Sequence, residues 1–372
     1  MSRFRWSGRG LGLVLMLGAA AGPALGQAQE SPEIKAAYDM VGKPAAELIA
    51  AGWVGSPVTL RGVKGNTVVL SFWNGDTGYF SSPEYFLKSI LADYEKFSKT
   101  RSITFVSICA SMTATLKSVE RQAEQYKLNP FPTMLDAAGA TAHAYKVPKG
   151  YGTWIIVIDG DGKIAYSDSK GWRWSGGENA GKLVHHTMIE DSQKKAPGIL
   201  KVKAVPADAT LAAHYYDLQQ FQLAEVELKK LDKKTAEDVK AFTTLLHDTI
   251  VETRKKRLAE VEEMSKTTPV QAYREAVAFV AAFPSSPERS PMNDLGKALV
   301  KDAAVKNELQ AEDAYRRIVV PELLKSPKGS ADFEQRVEPL LKGYLKVYGT
   351  TEYAAAVTDG VEGYKMAAGR SR

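Results

Sequence analysis

Thr67-Val68-Val69-Leu70-Ser71-Phe72-Trp73, set off by Lys64-Gly65-Asn66, decides how the first half of this chain is read. Such a run, apolar without alternation and opened by a turn signal, is the pattern of a strand buried on both faces. Downstream, Phe86, Ile90, Tyr94 and Phe97 recur at helical spacing, which predicts a helix over Pro83 to Ser98. Ile103 to Cys109 reads as a second buried strand, Thr115 to Tyr126 as a helix, and Ala137 to Tyr145 as a short one. Trp154 to Ile158 is a third strand, turned by Asp159-Gly160-Asp161-Gly162 into a hairpin partner at Lys163-Ile164-Ala165-Tyr166. Glu178 to Asp191 closes the series as a helix. This order implies a mixed sheet with helices on both faces.

The rest of the chain is written differently. All six tryptophans lie at or before Trp174, and residues 199–295 contain no glycine. The shift places a domain boundary near Ala196-Pro197-Gly198. Beyond it, Leu211, Tyr215 and Leu218 begin a series of helical stripes. Phe221, Ala224, Leu228 and Leu231 follow, then Val239, Phe242, Leu246 and Ile250, then Tyr273, Val277 and Val280, and last Phe333, Val337, Leu340 and Tyr344. Stops are expected at Phe283-Pro284, near Pro321 and at Ser326-Pro327-Lys328-Gly329. About five to seven helices are expected, as an irregular bundle or a short solenoid. Ala272 to Pro284 resembles a tetratricopeptide-type hairpin, although no sustained repeat of that length is visible.

Arg3, Arg5 and Arg9 precede the apolar run Leu11 to Ala21, and Pro23, Ala24 and Gly26 supply a break and small residues. Residues 1–26 therefore read as an export signal, with an uncleaved anchor as the alternative, and 27–41 as a lead-in. Without 1–26 the net charge falls from +6 to about +3, too small and too dispersed for a nucleic-acid-binding face. Arg254-Lys255-Lys256-Arg257, flanked by Glu252 and Glu260, reads as a solvated helix face. The one cysteine, Cys109, excludes an internal disulfide, a thiolate metal cluster and any mechanism using two cysteines of one chain.

Several phrases taken together resemble the thioredoxin-like superfamily, in its redoxin branch: alkyl hydroperoxide reductase and thiol-specific antioxidant proteins, and TlpA-like reductases. They are Gly42-Lys43-Pro44-Ala45, Val58-Thr59-Leu60-Arg61-Gly62 leading into Val68 to Trp73, Phe131-Pro132-Thr133-Met134-Leu135-Asp136, and Ile155 to Ile164. The resemblance implies a thioredoxin-like α/β domain over 42–195, and the stripes beyond the boundary imply an all-α helical domain over 199–372, tetratricopeptide-like as one option. In TlpA-like members the strand ending Phe-Trp leads into Cys-x-x-Cys, where the helix terminus activates the attacking thiol. Those positions fall here on Thr77 and Phe80, and the peroxiredoxin cysteine falls on Ser81. A hydroxyl cannot replace a thiolate as nucleophile towards peroxide or disulfide. The family's cis-proline, or its peroxiredoxin arginine, would stand just before the Trp154 strand, where this chain has Tyr151-Gly152-Thr153. The resemblance therefore carries a fold and a degenerate active site.

Cys109 ends the second strand, away from the family's redox position, and reads as a half-buried structural cysteine or as a lone reactive thiol. His185-His186 lie in the expected final helix, where neighbours diverge by about 100° and would not chelate one ion together. His143, His214 and His247 lack partners at ligand spacing, and Asp159 to Gly162 is too short for a calcium loop. No metal site and no cofactor are expected. Candidate binding residues are Asn74, Asp76 and Tyr79 in the former active-site loop, and Trp172, Arg173 and Trp174 in a glycine-flanked segment. The tryptophans have a structural alternative, packing on the helical half.

The expected function is an exported protein, periplasmic or secreted, acting as a non-catalytic binding or assembly module for a protein or peptide. It would bind no nucleic acid and have no membrane span after signal cleavage. The alternative is a thiol-dependent oxidoreductase or antioxidant running on Cys109; a structural envelope protein without a ligand is a third reading.

Overall fold

The chain approaches its central strand through a short helix, α1 (Pro32–Tyr38), and a strand, β1 (Ala50–Val54), before β2 (Thr67–Trp73). The elements that follow are α2 (Pro83–Phe97), β3 (Ile103–Cys109), α3 (Leu116–Gln125), β4 (Thr133–Asp136), α4 (Ala140–Ala144), β5 (Thr153–Ile158), β6 (Ile164–Ser169) and α5 (Val184–Lys195). This computed structural model describes residues 31–74, 83–97, 101–111, 113–128, 131–136, 139–148, 153–169, 184–200, 202, 204–325, 330–355 and 357–358.

The strands form one six-stranded sheet in the order β1-β4-β3-β2-β5-β6. β2, β3 and β4 run parallel, while β1, β5 and β6 pair antiparallel to their neighbours. Every residue of β2 and β3 is buried, as their unbroken apolar runs require. Val69, Trp73, Phe105, Cys109 and Ile155 face α2, α3 and α5, and Val68, Leu70, Phe72, Ile108 and Ile156 face α1 and α4. The hairpin between β5 and β6 closes as expected, with the Asp159 carboxylate accepting from the amides of Asp161 and Lys163. Two strands are additions to the sequence reading. β1 is only half-buried, and β4 has four residues, too few to show a period. The helix expected over Ala137 to Tyr145 is the shorter α4, and that expected from Glu178 appears as α5, residues 170–183 lying outside the described part.

After a 3-10 turn at Ala207–Ala209, the second half is helical: α6 (Thr210–Asp217), α7 (Phe221–Leu231), α8 (Glu237–Thr267), α9 (Pro269–Ala282), α10 (Arg289–Leu299), α11 (Ala303–Ile318), α12 (Val320–Leu324), α13 (Ser330–Arg336) and α14 (Glu338–Tyr348). These are nine α-helices among the described residues, more than the five to seven expected. Proline accounts for part of the difference. Pro321 and Pro339 stand in the first turns of α12 and α14, where proline starts a helix, so the stop expected near Pro321, at the end of α11, is followed at once by a further helix. The stripes of α7 and α8 are buried as read, but Leu211 and Val277 are exposed. α6 and α9 instead bury Ala212, Ala213 and Ala276, small residues that let neighbouring elements approach closely, and α9 also buries Phe279.

The described residues from Pro32 onward belong to one compact unit, and the sheet and the helices share polar contacts within it. At the N-terminal ends of β2 and β3, buried Asn66 donates through Nδ2 to the Asp217 carbonyl at 3.1 Å and to Thr104 Oγ1 at 3.1 Å. Its Oδ1 accepts from the Ile199 amide at 3.2 Å, and Thr104 Oγ1 donates to the same Asp217 carbonyl at 2.8 Å. Arg101 pairs with the Asp217 carboxylate at 3.2 Å. Elsewhere, Ile49 and Ala51, with Ala140, join the apolar cluster of α11 to α14.

Candidate functional site

The register of the sheet sets three sequence-chosen positions side by side. Trp73, the last residue of β2, pairs with Cys109 of β3 on one side and with Thr153 of β5 on the other. The positions matching the family's nucleophile follow in the segment after β2, and Thr153, where the resemblance implies proline or arginine, is the first residue of β5. Of the loop that follows, Asn74 is described and half-buried; Asp76, Thr77, Tyr79, Phe80 and Ser81 lie outside the described residues, as do Trp172, Arg173 and Trp174.

Cys109 is more enclosed than its sequence context implied. Its residue is 0% exposed, in the apolar layer that includes Trp73, Leu87, Ile90, Val119 and Leu135. The expectation of half burial is corrected because the layer beneath α2 and α3 closes completely over the end of β3. A thiol so enclosed behaves as a small core hydrophobe, out of reach of a peroxide or a disulfide unless the layer opens.

Residues 40–175 match the redoxin family model. The first half of this chain is redoxin-like. The match covers the six strands with α2 to α4, begins just after α1 and stops short of α5 and the helical half. Among solved structures, the thioredoxin domain of a thiol-disulfide oxidoreductase from Bacteroides vulgatus is 17% identical, with 42% of this chain and 97% of that chain covered and a TM-score of 0.30. A secreted disulfide oxidoreductase from Mycobacterium tuberculosis is 18% identical, with 40% and 96% covered and a TM-score of 0.29. No curated protein matches the sequence.

The seam between the redoxin-like region and the helices holds a cavity of about 360 Å³. The segment before β2 contributes Arg61, Gly62 and Lys64, and α8 contributes Lys256, Arg257 and Glu260. Arg257 lies against Gly62, with its guanidinium 5.4 Å from the centre of the Phe221 ring. Its Nη2 donates to Gln219 Oε1 at 2.5 Å, and among the described residues it has no carboxylate ion pair. Glu275 also lines the cavity; burial first, then the nearby Glu47, pushes its carboxyl up to about 7. Glu260 and Glu275 line the same cavity and act on Arg257, but its four cationic side chains outnumber them, a surplus that suits a small acidic group.

The basic cluster on α8 therefore divides. Lys255 and Lys256 are exposed, as a solvated face requires, but Arg254 is buried between Glu225 at 2.8 Å and Glu288 at 3.3 Å, and Arg257 turns into the seam. The sequence missed Arg257 as a cavity residue because the helical period marks apolar faces and assigns charge to solvent.

His185 and His186 also depart from their reading as surface side chains directed apart. His185 is buried on the first turn of α5, and both rings bend towards Asp93 of α2. Among the described residues no helix is long and apolar enough to cross a membrane.

Proposed function

We propose that this chain is a binding protein in which the redoxin-like region serves as a scaffold and performs no thiol chemistry. The observation that carries the reading is the complete burial of Cys109, the single sulfur nucleophile of the sequence, at the end of β3. Supporting it, the positions matching the family's redox residues hold Thr77, Phe80 and Ser81. The seam cavity supports binding, because Arg257, Lys256, Arg61 and Lys64 would attract a carboxylate offered by a protein or peptide. Residues 1–26 direct such a protein to export, to the periplasm or beyond.

The test is peroxide and disulfide turnover by the purified protein beside Cys109→Ser. Rates equal for the two, and no faster than buffer, are the expected result. A rate that depends on Cys109 would replace the binding reading with a one-cysteine oxidoreductase. For the cavity, calorimetric titration with an acidic peptide should give binding that weakens about tenfold or more in Arg257→Gln, the loss of one charge-assisted contact. Equal binding by the variant would remove the cavity from the proposal.

A further inference from the structure

Adjacent residues of a helix leave its axis about 100° apart, which separates their side chains unless both bend towards a common partner. His185 and His186 do bend. Their ring centres are 4.4 Å apart at an interplanar angle of 70°, and the common partner is Asp93 of the neighbouring α2. His186 Nε2 stands 2.8 Å from Asp93 Oδ1, and His185 Nε2 stands 3.3 Å from Oδ2. One ligand atom from each residue lies within 4.8 Å of the other two. Among the described residues this is the one group of three or more such side chains gathered so closely.

We propose that Asp93, His185 and His186 form a binding site for a divalent first-row transition metal, with Zn²⁺ as the ion that its donors suit best. Two imidazole nitrogens and one carboxylate oxygen form a mixed donor set of the kind that holds zinc, whereas calcium and magnesium select oxygen donors. Bonds of about 2.0–2.2 Å in tetrahedral geometry place ligand atoms roughly 3.3–3.5 Å apart. The 3.3 Å from His185 Nε2 to Oδ2 already matches that separation, while His186 Nε2 lies closer to Oδ1, at 2.8 Å, so rotations of the side chains would open the group to admit the ion. His185 and Asp93 are 4% and 5% exposed, and the Phe97 ring, its centre 5.1 Å from that of the His186 ring in a T-shaped contact, further screens the donors from water.

The remaining neighbours are consistent with a switch between two states of the group. Without metal, His186 donates from Nε2 to Asp93, while its Nδ1 accepts from the Lys96 ammonium at 2.9 Å. With metal on Nε2, the imidazole proton resides on Nδ1, and Lys96 turns to Glu190, already 3.9 Å from its Nζ. The imidazole changes tautomer and keeps its charge, so the exchange requires no net proton uptake. The bound ion would tie the third turn of α2 to the first turn of α5.

The experiment uses the full chain without an affinity tag. Zn²⁺ is titrated by calorimetry, and Co²⁺ is followed by visible absorption, which reports coordination geometry. One equivalent of either ion is expected to bind, and Zn²⁺ should raise Tm. His186→Gln and Asp93→Asn should each weaken binding by about tenfold or more and abolish the Tm rise, since even supporting residues of metal sites cost that much. His247→Gln, on an exposed part of α8, should bind as the parent does. His186 is less buried than His185, so its variant keeps the test open if others fail to fold. Absence of saturable binding by the parent, or equal binding by a folded His186→Gln, overturns the proposal. This outcome is independent of the thiol assays, which do not involve these side chains.

Discussion

Gly62 stands against Arg257 of α8. A Cβ placed there would lie 2.3 Å from Arg257 Nη2 and 2.9 Å from Thr59 Oγ1. Gly62→Ala should therefore displace the guanidinium from Gln219 and cost about 1.5–3 kcal/mol, the range of a lost hydrogen bond to a charged group. Chemical denaturation would measure it, and a neutral result would mean that Arg257 shifts without loss. Glu275 gives a pH prediction. Its ordinary value is 4.5, and in the fold it is raised to about 7. As pH rises, the unfolded chain releases this proton first, so the folded state loses stability between those values and levels off above them. Urea unfolding should show Glu275→Gln gaining about 1–3 kcal/mol on the parent between pH 5 and pH 8. Parallel pH curves for the two proteins would remove Glu275 as the source.

Among the elements, β2 and β3 are the most legible in sequence because burial on both faces leaves continuous apolar runs. β1 is Ala50-Ala51-Gly52-Trp53-Val54, and its small residues carry little strand signal. It exists because β4 pairs with it and helices cover it, which are contacts distant in sequence. The same holds for the candidate sites. Asp93 meets His186 across the space between two helices, and no spacing within either helix announces the meeting. Arg257 was legible as a charge and illegible as a seam residue, because only the approach of the 59–64 segment makes it one. Asn66 ties these elements together. Asn66→Ala would strand the Ile199 amide and remove a donor from the Asp217 carbonyl, and should cost about 2–4 kcal/mol, the upper range for a buried hydrogen-bond network. A loss below 1 kcal/mol would mean that water replaces the amide.

For the molecule as a whole, a seam made from buried amides, an ion pair and apolar clusters couples the sheet to the helices. Thermal unfolding should consequently be one cooperative transition, with calorimetric and van't Hoff enthalpies in agreement. Two resolved transitions would show that the redoxin-like and helical regions unfold independently.

The cover over β1 has a consequence for biogenesis. β1 is an outer strand of the sheet, and Tyr273 of α9 and Leu309 of α11 stand across a small gap from Ala50, Gly52 and Trp53. A ribosome releases the sheet before it releases those helices, so a nascent chain carrying the whole sheet still has a bare strand edge. Such edges recruit other strands, and a growing polypeptide in this interval is the form most exposed to misassembly. Holding by a chaperone until α11 has emerged would protect it, and ribosome-stalled chains ending before and after Ile318 should differ sharply in aggregation.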